Sequence, residues 1–66
     1  MDGILFGRIN NNDYEEYESG RFDSSLVCDG EEVARTYGDI IRGFNKIHEE
    51  AIKAWAKWYE LPIEWV

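Results

Sequence analysis

The chain has 66 residues, fourteen of them acidic and seven basic, for a net charge of −7. Three Trp, four Tyr and three Phe argue for a folded domain, because acidic disordered segments are poor in aromatics and a chain this small needs large side chains to fill its core. One cysteine, Cys28, excludes an internal disulfide and a thiolate zinc cluster, and no apolar run approaches the roughly 18–20 residues of a membrane span.

Gly3 to Ile9 reads as a β-prone strand that ends at the turn-forming run Asn10-Asn11-Asn12-Asp13. Ile4, Phe6 and Arg8 share one face; Leu5 and Ile9 share the other. Asp13 to Gly20 fits two descriptions. As a helical turn it has a cap at Asp13, Glu16 at the third position and a terminal Gly20, with Tyr14 and Tyr17 on one face. As a strand it pairs with the first strand and sends Tyr14 and Tyr17 to opposite faces. Glu15 and Glu16 near a helix N-terminus tip the balance slightly toward the turn. Arg21 to Cys28 alternates, with Phe22, Ser24, Leu26 and Cys28 on one face, and predicts a strand.

Asp29-Gly30-Glu31-Glu32 reads as a helix start capped by Asp29. From there Val33, Tyr37, Ile40, Phe44, Ile47, Ala51, Trp55 and Trp58 recur at three- and four-residue steps. This pattern predicts a short helix near 31–37 and a long amphipathic helix near 39–60, separated at Gly38-Asp39. Gly43 inside the long helix costs about 1 kcal/mol relative to Ala and suits close packing against a sheet. Leu61-Pro62 stops the helix, and Ile63 to Val66 alternates as an edge strand. The expected fold is α+β, a single domain over 1–66. It has a small antiparallel sheet packed against one long C-terminal helix, with one or two short helices.

Candidate chemistry is sparse. His48, the single histidine, lies on the flank of the apolar stripe, and a Cys28–His48 pair requires the helix to pack on the strand region. Cys28 reads as a small core residue without a basic neighbour to activate it. An EF-hand loop begun at Asn11 fails at Glu16, where glycine is required, and at Phe22, where the bidentate glutamate belongs. The basic residues Arg42, Lys46, Lys53 and Lys57 interleave with Glu49, Glu50 and Glu60 as a salt-bridged surface. No catalytic residue, metal or cofactor is expected, and the chain reads as a non-enzyme.

The charge is the informative feature. Asn10 to Ala34 carries Asp13, Glu15, Glu16, Glu18, Asp23, Asp29, Glu31 and Glu32 against Arg21, which accounts for the whole −7. Such a segment repels anionic membranes and nucleic-acid phosphates and favours a positively charged partner. On a strand, acids two apart, such as Glu16 and Glu18, stand about 6.6–6.8 Å apart. Charges along a DNA strand have comparable spacing, one per roughly 3.4 Å of axis. Tyr14 and Tyr17 stand among the acids as candidate interface anchors.

A short chain with clustered acids, abundant aromatics and no catalytic motif resembles the small acidic inhibitors encoded by phages, including anti-CRISPR and anti-restriction proteins. The resemblance lies in size, acidity and charge clustering over the whole chain, so it implies a mode of action and no family residue assignments. It implies a DNA mimic in the cytoplasm, monomeric rather than homodimeric, that blocks a basic nucleic-acid-binding protein or effector complex. Without a leader-like N-terminus, the chain itself gives the same cytoplasmic expectation. The contrasting reading is a small interaction or antitoxin-like protein that docks through exposed aromatic and apolar surface.

Overall fold

Alternation of side chains, with a period of two, organises most of this protein. The computed structural model describes residues 4–18 and 23–66; the expectations resting on Gly3, Gly20, Arg21 and Phe22 lie outside the described residues. These form β1 (Ile4–Ile9), β2 (Asn12–Glu18), β3 (Ser24–Cys28), β4 (Glu31–Tyr37), β5 (Ile40–Gly43), a 3-10 turn (Lys46–His48), α1 (Glu49–Tyr59) and β6 (Ile63–Trp65). The strands lie side by side in chain order. Neighbours from β1 to β5 are antiparallel, and β6 returns from α1 to run parallel to β5.

The expected small antiparallel sheet beneath a long helix is overturned: the sheet is six-stranded and mixed, and helix covers only 14 residues. Residues 31–37 are a strand, and the segment read as the first turns of a long helix is β5. A β-bulge explains the misleading period. Leu26 pairs with Ala34 and Val27 with Glu32, so Val33 is the extra residue, and consecutive Val33 and Ala34 are both fully buried. This breaks the alternation and mimics a helical step.

The turns differ from the expected helix caps as well. Asp29 and Gly30 both have positive φ, 53° and 80°, between the paired residues Cys28 and Glu31. That is the requirement of a type I′ hairpin, for which Asp-Gly is a preferred sequence. Gly38, φ 58°, is the first central residue of a second two-residue hairpin between Tyr37 and Ile40. The asparagine turn holds as expected: Asn10 and Asn11 have φ of 52° and 66°. It joins β1 to a strand, so residues 13–18 take the extended alternative and not the helical turn.

α1 covers one face of the sheet. Ala51, Ile52, Trp55 and Ala56 point inward onto Tyr14, Leu26, Cys28, Val33, Ala34 and Ile41. Burying each Val, Leu or Ile contributes about 1.5–3 kcal/mol. The helix ends where Glu60 adopts a left-handed conformation and its N–H reaches the carbonyls of Ala56 and Lys57. Pro62 then forbids continuation, and its carbonyl accepts the Ile41 N–H at 2.9 Å, seeding the β5–β6 pairing. Gly43 lies on β5 and not in a helix. The Trp65 ring lies on it so closely that a Cβ would come within 2.5 Å of that ring.

Candidate functional site

The strand register decides what the acidic segment becomes. Tyr14 pairs with Cys28 and Cys28 with Glu31; one step along, Glu15 pairs with Val27 and Val27 with Glu32. Two acid runs separated in sequence therefore meet across β3, about 9.5 Å apart at two inter-strand spacings. Asp13, Glu15, Asp29, Glu31 and Glu32 are all exposed. They gather at the sheet end that carries the asparagine and Asp29-Gly30 turns. The Cys28 thiol registers this field: burial pushes its pKa up first, and then Asp29, Glu31 and Asp13, drawn from both runs.

Cations nearby are committed elsewhere or only loosely engaged. Arg8 stands 3.9 Å from Asp13, and Arg35 stands 3.8 Å from Glu32, which also accepts from Ser25 Oγ. Arg42 pairs with Glu64 at 3.1 Å and lies over the Tyr37 ring, which Arg35 also approaches. Lys53 holds Glu49 at 3.3 Å, four residues apart on α1. Glu15, Glu18, Asp29 and Glu31 meet no cation within ion-pair distance among the described residues.

The remaining expected site residues separate by strand parity. Glu16, on the helix-facing side of β2, accepts from Trp55 Nε1 at 3.2 Å and from the Tyr59 hydroxyl. It ties the sheet to α1. Tyr14 is buried at 2% exposure, and its hydroxyl shares a 2.7 Å hydrogen bond with His48 Nδ1. Tyr17, on the uncovered face opposite Ser25, is half-buried. Asp23 is half-buried just ahead of β3, and Glu18 is exposed at the end of β2. Glu50 was missed as a member of the acidic end: Asn10 Nδ2 donates to its carboxylate at 3.0 Å and brings the start of α1 there.

His48 sits at the boundary of the core, as its flank position suggested, edge-on to Tyr14 with ring centroids 5.6 Å apart. Its Nδ1 meets the Tyr14 hydroxyl. Cys28 is buried at 4% exposure with its thiol pKa raised, the opposite of an activated nucleophile. Among the described residues no group of three His, Cys, Asp or Glu is placed to hold a metal ion. No helix there is long and apolar enough to cross a membrane.

A groove of 470 Å³ opens between β1 and the C-terminal half of α1, lined by Ile4, Leu5, Phe6, Glu16, Glu18, Trp58 and Tyr59. Trp55 is fully buried, as the stripe predicted, but Trp58 is 75% exposed. With the helix shortened to Glu49–Tyr59, its inward face centres on Ile52 and Trp55, and Trp58 falls on the flank. Phe44 and Ile47, assigned to the same stripe, precede the helix and are also exposed. No protein-family model matches the chain, and no curated protein or solved structure matches it.

Proposed function

We propose that this chain is a non-enzymatic binding module whose acidic end occupies a basic, nucleic-acid-binding site on a partner protein, in the manner of a DNA mimic. One observation carries the reading: the β2–β3–β4 register sets Glu15 and Glu32 on one face across Val27, with Asp29 and Glu31 at the adjoining sheet end, and Glu15, Asp29 and Glu31 meet no cation among the described residues. Clustered carboxylates repel one another and cost stability unless a cationic surface neutralises them. Their benefit is faster association and choice of partner more than raw affinity.

The contacting set in this reading is Asp13, Glu15, Asp29, Glu31 and Glu32, with Tyr17 on the uncovered face that Glu15 and Glu32 share. Glu16 and Tyr14 have a different task, holding the sheet to α1 so that the acids keep their spacing. The test is capture from an extract of the native host cells at low salt, using the native chain and a Glu15→Lys/Glu31→Lys variant. The reading expects a nucleic-acid-binding protein on the native chain, displaced by duplex DNA and absent from the variant. An identical set of proteins on both baits, or retention that excess duplex DNA leaves unchanged, counts against it.

A further inference from the structure

The groove beside β1 and the free edge of that strand adjoin, and neither takes part in the acidic end described above. β1 is an outer strand, so one side of its backbone has no ladder partner among the described residues. Ile4 and Leu5 on that strand are 67% and 63% exposed, and Trp58 faces them from α1. Bare edges with large apolar side chains invite strand pairing, and proteins usually blunt them with charge or proline. The opposite edge is blunted in that way: Pro62 precedes β6, and Glu64 on it is paired with Arg42. From Ile4 to Gly7 the β1 edge carries neither charge nor proline; its one irregularity is a register shift between Leu5 and Gly7, which leaves Ile4 and Leu5 in regular pairing with Glu16 and Glu15.

The groove is also negatively charged. Glu16 has both oxygens engaged by Trp55 and Tyr59, while Glu18 is exposed at the rim without a cation partner among the described residues. The Tyr59 phenol is held above its usual pKa by burial first and then by Glu16 and Glu18. An apolar trough with a flat indole and a carboxylate at its rim suits one side chain above others, because a guanidinium stacks on aromatic faces and pairs with carboxylates in a planar fork.

We infer that the β1 groove receives an extended segment of a partner protein, which adds to β1 as a further strand and lays an arginine between Trp58 and Glu18. Strand addition supplies affinity through main-chain hydrogen bonds, and alternate side chains entering the groove supply selectivity. The segment therefore carries arginine with apolar side chains two residues to either side. A second copy of this chain is a poor occupant. Each copy carries −7, and the one charge on β1, Arg8, already faces Asp13.

The probe is the peptide acetyl-Val-Thr-Arg-Thr-Val-amide, titrated into the full ¹⁵N-labelled chain beside the same peptide with citrulline, the neutral isostere, replacing arginine. Shifts are expected in the amides of Ile4 to Arg8 and in the Trp58 indole, with the citrulline peptide bound about tenfold more weakly. Glu18→Gln should lower affinity for the arginine peptide to the citrulline level, and Trp58→Ala should weaken both peptides; both residues are exposed, so folding is preserved. Equal affinity for the two peptides, or no shift at β1 and Trp58 up to the peptide's solubility, overturns the assignment. Shifts confined to Glu15, Asp29 and Glu31 overturn it while leaving the acidic-end reading intact. Concentration-dependent β1 shifts without peptide would indicate self-association and also overturn it.

Discussion

Glu15 and Glu16 are adjacent, identical and opposite in role, which makes them the sharpest internal comparison the protein offers. Glu15 faces solvent, whereas Glu16 accepts from Trp55 Nε1 and the Tyr59 hydroxyl. In Glu16→Ala the indole N–H of a fully buried tryptophan loses its acceptor, and an unsatisfied buried donor costs about 1–3 kcal/mol. Tyr59 is only half-buried and recovers part of its loss from water, so the total is about 2–4 kcal/mol. Glu16→Gln keeps one carbonyl acceptor and should cost about half as much. Each kcal/mol corresponds to roughly 4–8 °C in the melting temperature of a domain this size. Glu15→Ala should stay within about 0.5 kcal/mol of the native chain. Urea and thermal unfolding, followed by tryptophan fluorescence, measure all three. Equal losses at 15 and 16, or a Glu16→Ala variant within about 0.5 kcal/mol of native, would refute both the strand parity of β2 and the sheet-to-helix tie.

Two further outcomes follow from the core. Burial raises the pKa values of the Cys28 thiol and the Tyr14 and Tyr59 phenols, so the native state holds these protons more tightly than the unfolded chain does. Stability is therefore intact below the unfolded values, near 8.5 for a thiol and near 10 for a phenol, and falls as pH rises through them; urea midpoints that rise above about pH 9 would contradict this. Gly43→Ala places a Cβ within 2.5 Å of the Trp65 ring and should cost about 1–3 kcal/mol with a change in Trp65 emission, whereas unchanged stability and emission would remove the close approach.

What was legible in the sequence was what depends on nearest neighbours. β1 showed as a β-prone run and β3 and β6 as alternating ones, the asparagine turn as a turn, and Pro62 as a stop. But the register shift between Leu5 and Gly7 puts Arg8 on the face of Leu5 and not on that of Ile4. β4 and β5 were hidden because the bulge at Val33 puts two consecutive side chains inward, and the apolar spacing then matches three- and four-residue steps. Asp29-Gly30 and Gly38-Asp39 carried hairpin signals that were read as helix caps, since the same small residues serve both purposes. The acids were visible at once, but their grouping was not. Which carboxylates share a surface depends on register across three strands, and parity alone sends Glu15 outward and Glu16 to Trp55. Trp58 was misplaced for a related reason: a helix that begins at Glu49 has a different inward face from one that begins at Asp39.

The acidic surface depends on one structural fact, that residues 31–37 are a strand which brings Glu31 and Glu32 alongside β2 across β3. Nuclear Overhauser contacts in the ¹⁵N,¹³C-labelled chain test it directly. The register predicts cross-strand contacts between the backbones of Tyr14 and Cys28, Cys28 and Glu31, and Thr36 and Ile41. A continuous ladder of sequential amide-to-amide contacts from 31 to 37, with none of those cross-strand peaks, would restore the helix, separate the two acid runs and contradict the proposed surface.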